Sequence, residues 1–229
     1  MTLVRVAVLV SGGGTNLQAL LDALASLPSS PPPPARITRV ISSRPDAPAL
    51  ERARRAGIPT TVLRNPADAP ELLQALQDAG DGEGADLVVL AGYLKLVPPA
   101  VVARFRRRMI NIHPALLPAF GGPGMYGRRV HEAVLASGAT ISGATAHYVD
   151  EEYDHGPIIA QWPVPVHAGD TPESLAARIL EVEHQLLPMV VLELARLGVP
   201  GTSVRLPVSG LAFQAGAKPL PQLSHGTLE

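Results

Sequence analysis

In Asn111-Ile112-His113-Pro114 a side-chain amide and an imidazole stand two residues apart, at the end of a short apolar run. On a β-strand that spacing puts Asn111 and His113 on one face. The pair suits a reaction in which a carbonyl oxygen gains negative charge while a proton moves: the amide donates to the oxygen and the imidazole exchanges the proton. A polar strand end closed by Pro114 is the plain alternative, and the residues alone do not choose between the two. Asp154, in Asp150-Glu-Glu-Tyr-Asp-His-Gly156, is the carboxylate placed to join them, because Gly156-Pro157 can hold its turn against a sheet edge. A carboxylate beside His113 favours the charged imidazole. Asp150, Glu151 and Glu152 read as solvated turn charges.

A second constellation is Ser11-Gly-Gly-Gly-Thr-Asn16, between an apolar run and an amphipathic stretch. A glycine-rich turn opening a helix offers backbone N–H groups and a positive dipole end to an anion, phosphate above all; a tight turn with no ligand is the alternative. Leu17 stands where a dinucleotide fingerprint has its third glycine, and Ser42-Ser43-Arg44 stands where an NAD site has an acidic residue. No Gly-Lys-Ser/Thr follows, so the segment is not a P-loop either. Glu183, beside His184 near the apolar stripe of a long helix, is either a rim charge, the commoner outcome, or a buried carboxylate awaiting a cation. His131-Glu132 has Leu135 where a zinc-protease helix needs its second histidine, and His147, His155 and His167 show no ligand spacing. The expectation is therefore no metal.

These residues need a frame. Apolar β-branched runs at residues 3–10, 37–42, 60–63 and 86–91 alternate with helical stretches at 16–27, 49–56 and 71–79, an order that predicts a parallel sheet covered by helices on both faces. Residues 109–112 form a fifth strand, whose carboxyl end carries the Asn/His pair at the edge where open α/β sheets bind ligands. Strands at 140–149 and 157–166, joined by a polar turn, suit an antiparallel pair. A long helix at 172–197 follows. Leu175, Ile179, Val182, Leu186, Val190 and Leu194 lie on one stripe of it, with Thr171 as N-cap and Glu173 in its first turn. The expected class is α/β, doubly wound, with a mostly parallel sheet and a long C-terminal helix.

Composition bounds the rest. In 229 residues there is no cysteine, so disulfides, thiolate nucleophiles and iron–sulfur clusters are excluded. A formal net charge of −1 and 3% aromatic residues give neither the electrostatic footprint nor the stacking platforms of a nucleic-acid binder. No apolar run approaches the ~20 residues of a bilayer span. The first apolar run leads into glycines without a signal-peptidase pattern, so the expected location is cytoplasmic. Residues 1–200 read as a single domain. Residues 201–229, rich in Gly, Pro and Ser, read as an extended tail with a short strand at 203–206, and Pro31 to Pro34 as a stiff surface loop.

Five segments in order, Ser11-Gly-Gly-Gly-Thr-Asn16, Leu90-Ala-Gly-Tyr-Leu-Lys-Leu96, Asn111-Ile-His-Pro-Ala-Leu-Leu-Pro118, Tyr153-Asp-His-Gly-Pro-Ile158 and Glu183-His184, resemble the glycinamide ribonucleotide formyltransferases, folate-dependent enzymes of purine biosynthesis. The resemblance spans most of residues 3–200. It implies formyl transfer from 10-formyltetrahydrofolate to the amine of glycinamide ribonucleotide, with Asn111, His113 and Asp154 catalytic and no metal. It also implies that Gly14, Thr15 and Asn16 hold the phosphate and Glu183 the amine. Leu94, Lys95, Leu96 and Val97, with Asn111 and the 149–154 turn, would bind the folate. The N-terminal half would then be the phosphate-binding half and the C-terminal half the folate-binding one, in a monomer or homodimer that takes neither nucleic acid nor membrane as partner.

Two stretches depart from the pattern: residues 65–70 lack its Ser-Arg, and Phe120-Gly-Gly-Pro-Gly-Met-Tyr-Gly127 is a longer, glycine-rich loop that reads as a mobile cover. Methionyl-tRNA formyltransferases and formyltetrahydrofolate deformylases share the Asn-x-His-Pro-x-Leu-Leu-Pro core, but the former add a C-terminal nucleic-acid-binding domain and the latter an N-terminal regulatory one. An NADP-dependent reductase using Arg44, or a non-catalytic nucleotide-binding module, is the reading from a different class.

Overall fold

The computed structural model describes residues 3–79, 82–199, 201 and 204–206. Its strands are β1 (Val4–Val10), β2 (Ala35–Ser42), β3 (Thr60–Val62), β4 (Leu87–Leu90), β5 (Met109–His113), β6 (Ile141–Tyr148) and β7 (Ile158–Pro165). The helices are α1 (Thr15–Ala25), α2 (Ala49–Arg55), α3 (Ala69–Gln77), α4 (Pro99–Arg104), α5 (Arg128–Ala136) and α6 (Pro172–Arg196). One sheet of seven strands runs in the order β3-β2-β1-β4-β5-β6-β7. The first five strands pair in parallel, and β5–β6 and β6–β7 are antiparallel.

The two-residue alternation of the strands sorts their side chains between the two faces. Val6, Val8 and Val10 of β1, Leu87 and Val89 of β4, and Ile110 and Ile112 of β5 pack beneath α1 and α6. Ala7, Leu9, Val88, Leu90 and Met109 pack beneath α3 and α4. A sheet buried on both faces is why these strands read as unbroken apolar runs. Asn111 and His113 have the parity of Met109, so they continue its column toward the carboxyl edge.

The expected stripe of α6, from Leu175 to Leu194, lies wholly in the first of these cores. Thr171 caps the helix in a reciprocal box with Ser174, and Glu173 occupies the first turn. Pro188 stands inside α6 and is buried; lacking an N–H, it gives the carbonyl of His184 no helical donor. Strand β7 is a sheet edge and carries Pro163 and Pro165. Two helices escaped the sequence reading. Helix α4 is six residues long and opens on Pro98-Pro99, too short to show a period. Helix α5 buries Val130, His131 and Val134 on one face, a signal hidden behind the glycine-rich run before it. The strand expected at 203–206 is not formed by residues 204–206, although Leu206 N–H donates to Ile159 O at 2.7 Å; Ser203 lies outside the described residues, as does the tail from residue 207.

Candidate active site

Strand β1 lies between β2 and β4, so the chain leaves it in one direction through α1 and returns on its other side through β4. Loops at such a switch point diverge and open a crevice at the carboxyl ends of the strands. A cavity of about 490 Å³ occupies it, with Asn16 after β1, the 90–97 segment after β4, the end of β5, the 122–127 loop and α6 on its walls. Ser11 ties these loops together: its N–H donates to Gly92 O, its Oγ accepts from Leu94 N–H at 3.0 Å, and it shares a 2.7 Å hydrogen bond with Ser43 Oγ.

Asn111, His113 and Asp154 meet on the cavity floor. Asp154 Oδ2 is 3.4 Å from His113 Nδ1, and Asp154 Oδ1 is 3.4 Å from Asn111 Nδ2. Reaching them costs Asp154 a left-handed backbone, φ 56°, a conformation uncommon outside glycine that the surrounding contacts sustain. Its Oδ2 accepts the N–H of Gly122 at 3.0 Å. Gly121 lies close beside it: a Cβ there would stand 2.5 Å from Leu117 Cδ2 and 3.1 Å from Asp154 Cβ, so both side chains would have to give way.

His113 is 3% exposed, and its Nε2 is 2.8 Å from the carbonyl of Phe120. A carbonyl only accepts, so Nε2 carries the hydrogen and Nδ1, facing Asp154, is the atom left to exchange a proton. Burial pushes the His113 pKa below its ordinary value, and the Asp154 charge and the Phe120 carbonyl offset this only in part. The expectation that Asp154 keeps this imidazole charged is thus corrected: desolvation outweighs the carboxylate. Burial raises the Asp154 pKa, but its hydrogen bonds and its interactions with the neighbouring imidazoles of His147 and His113 outweigh this and leave the pKa below the usual value.

His147 is a site residue that sequence reasoning passed over. It lies directly across the β5–β6 ladder from Asn111. Its Nδ1 is 2.8 Å from Tyr148 O and so carries the hydrogen, leaving Nε2 to accept from Asn111 Nδ2 at 3.1 Å. The amide of Asn111 is thereby oriented with its NH₂ toward Asp154. The signal was the register of a strand pair, which single-strand periodicity does not contain.

Glu183 lines the same cavity, is 6% exposed and accepts from Asn16 Nδ2 at 3.0 Å. The rim reading is overturned: α6 turns Glu183 inward, where burial pushes its pKa up to about 7 and the Asn16 hydrogen bond only partly opposes this. Asn16 Oδ1 is buried without a partner. Gly14 caps α1 in the left-handed region, φ 72°, and a Cβ there would stand 2.6 Å from Ala49 Cβ, so only glycine fits. Gly14 and Thr15 lie beside the cavity rather than in its lining.

Leu94, Lys95, Leu96 and Val97 form one wall, with Leu94 and Leu96 exposed to the opening, and Val149 and Tyr153 face it. A slot with apolar sides and a polar floor accepts a flat heteroaromatic ring. Arg44 is engaged on the surface with Asp46, at 2.6 Å. Among the described residues no group of three or more His, Asp or Glu side chains is placed to hold a metal ion, and no helix is long and apolar enough to cross a membrane.

Residues 4–191 match the family model described as formyl transferase. The chain is 46% identical over 191 residues to a chloroplastic phosphoribosylglycinamide formyltransferase of Vigna unguiculata, covering 82% of this chain and 59% of that protein. Of the corresponding Arabidopsis thaliana protein it spans 64%, so it matches less than two thirds of these plant relatives. The phosphoribosylglycinamide formyltransferase of Escherichia coli is 38% identical over 82% of this chain and 85% of its own length. Among solved structures, that of the Anaplasma phagocytophilum phosphoribosylglycinamide formyltransferase aligns with a TM-score of 0.75 at 41% identity, covering 84% of this chain and 87% of the other.

Proposed function

Because the chain belongs to the formyl transferase family, we propose that it transfers the formyl group of 10-formyltetrahydrofolate to the amine of glycinamide ribonucleotide, a step of de novo purine biosynthesis. The observation that carries this reading is that one cavity is lined together by Asn111, His113 and Asp154, by residues 94–97 and by the hydrogen-bonded Asn16–Glu183 pair. In this proposal residues 1–200 act as one catalytic unit, drawing each subsite from both halves of the chain.

The amine attacks the formyl carbon, a C–N bond forms to the ribonucleotide, and the bond to the folate nitrogen breaks as a proton passes from the attacking to the leaving nitrogen. Asn111 donates an N–H to the formyl oxygen as its charge grows, its amide held in place by His147. Nδ1 of His113, once protonated, is a second donor and the carrier of the moving proton. Asp154 stabilises that imidazolium and accepts from the amine. Burial makes His113 favour its neutral state, so charge arriving on the formyl oxygen is what makes protonation of Nδ1 favourable. The N–H groups at Gly14, Thr15 and Asn16 and the positive end of α1 take the phosphate, and Glu183 accepts a hydrogen from the amine. Leu94, Lys95, Leu96 and Val97 hold the folate ring. Alignment of the two reactants supplies several kcal/mol of the barrier reduction without a covalent enzyme intermediate.

The test supplies 10-formyltetrahydrofolate with either glycinamide ribonucleotide or initiator tRNA and follows which is formylated. Formyl-glycinamide ribonucleotide is the expected product. Formylation of tRNA alone, or release of formate only, would sink the proposal.

A further inference from the structure

One buried polar side chain on the cavity wall has no part in the chemistry above. His131, on α5, is 5% exposed and lines the cavity. Its Nδ1 is buried without any hydrogen-bond partner, which leaves Nε2 as the ring nitrogen available to the cavity. A buried polar atom in this state costs stability unless something completes its surroundings, and a small apolar residue would fill this face of α5 without that cost.

The protonation state follows from the surroundings. Burial lowers the His131 pKa, and any charge gained by nearby His113 lowers it further, so the ring is neutral and bears one N–H. Leaving a lone pair on a closed-off nitrogen costs less than stranding an N–H there. The hydrogen therefore belongs on Nε2, and the ring presents a neutral donor to the cavity. Such a donor recognises an uncharged acceptor oxygen.

The position says which substrate brings it. His131 lies on α5, which packs against α6, the helix that brings Ala176, Leu180 and Glu183 to the same cavity, and its ring is near enough to His113 for the two to couple electrostatically. A ribonucleotide whose amine lies between Glu183 and His113 carries its glycinamide carbonyl one methylene away. We propose that His131 is a substrate-binding residue whose Nε2–H donates to the glycinamide carbonyl oxygen of the ribonucleotide, fixing the arm that bears the attacking amine. The inference rests on the ribonucleotide reading above and adds a residue to it.

The test varies both substrates for the wild-type enzyme and for His131→Leu, His131→Gln and His131→Asn. His131→Leu should raise the KM for glycinamide ribonucleotide about tenfold and leave the KM for the formyl donor within about twofold. A side-chain amide should recover part of the loss, which a purely structural role would not produce. The ring nitrogens of ¹⁵N-histidine-labelled wild-type enzyme give a second measurement independent of variant folding: the His131 Nε2 resonance should move on adding glycinamide ribonucleotide alone and stay fixed on adding a non-transferable folate analogue alone. A wild type that formylates no glycinamide ribonucleotide overturns this inference together with the proposed function. A wild type that does, with His131→Leu at unchanged KM or with a His131 resonance that answers only to the folate analogue, overturns this inference alone.

Discussion

Glu183 and His113 are both pushed toward neutrality by burial, and the two shifts make separate demands on pH. The Glu183 pKa rises from 4.5 to about 7 in the folded chain, so the fold retains a proton that the unfolded chain releases. Stability is therefore lost as pH rises through this interval. Glu183→Gln keeps the oxygen that Asn16 donates to and removes the charge. Its melting temperature should match the wild type at pH 5 and exceed it at pH 8, by an amount equivalent to roughly 1–3 kcal/mol, while the KM for glycinamide ribonucleotide rises. Equal melting temperatures at pH 8 would mean that Glu183 is charged at no cost. For His113 the opposing charge is Asp154. Asp154→Asn should move the His113 pKa further below its ordinary value in an NMR titration and lower kcat at least ~100-fold. His113→Ala and Asn111→Ala should each lose a comparable factor, the latter through the formyl oxygen. A variant of Asn111 altered in KM alone would be a binding residue only.

Helix α6 carries Glu183 into the cavity, and its start is secured by charge as well as by its cap. Arg178 donates to both oxygens of Asp170, at 2.7 and 2.8 Å, and to Pro165 O at 3.0 Å. This pairing holds the Asp170 pKa well below the usual carboxylate range, so its contribution is present above about pH 4 and lost as pH falls further. Arg178→Ala takes the cation from the Asp170 carboxylate, whose side chain is only 5% exposed, and leaves it the His167 N–H and the Ser174 hydroxyl. It should lower stability by about 2 kcal/mol after allowance for the partial exposure of the arginine, with the deficit shrinking in acid. Unchanged urea unfolding at neutral pH would remove the pair from the account. At the glycine turn before α1, Gly14→Val meets Ala49, so the variant should lose melting temperature and, under the proposed function, ribonucleotide affinity with it.

The elements show where legibility in the sequence ends. The apolar runs of β1, β4 and β5 and the stripe of α6 announced themselves because burial on both faces, or along one stripe, imposes a period on the residues. Helix α4 had too few residues to display one. The proposed Asn/His/Asp group was open to reading because Asn111 and His113 share a strand face and Asp154 sits in a turn that returns to it. His147 and His131 were not, since one is placed by cross-strand register and the other by the packing of α5 against α6. Burial, too, is a property of the assembled fold, and it reversed both the rim reading of Glu183 and the expected charge of His113.

On the scale of the molecule, the switch point between β1 and β4 gathers residues from 16 to 183 around one cavity, and a single loop touches two of its working groups. The carbonyl of Phe120, itself at φ 58°, accepts from His113, and the N–H of Gly122 donates to Asp154. A shift of this loop therefore alters both partners together. The far rim of the sheet bears on a different property, colloidal behaviour. Strand β7 ends the sheet, with the carbonyl of Ile159 already taken by the N–H of Leu206, and proline on such an edge has no N–H to offer an incoming backbone. With Pro163 and Pro165 near its end, β7 is a poor template for intermolecular strand pairing. The double substitution Pro163→Thr, Pro165→Val should leave the distant cavity and its turnover intact. It should also raise light scattering of concentrated, gently warmed solutions above that of the wild type; identical scattering would assign the guarding of this rim to other residues.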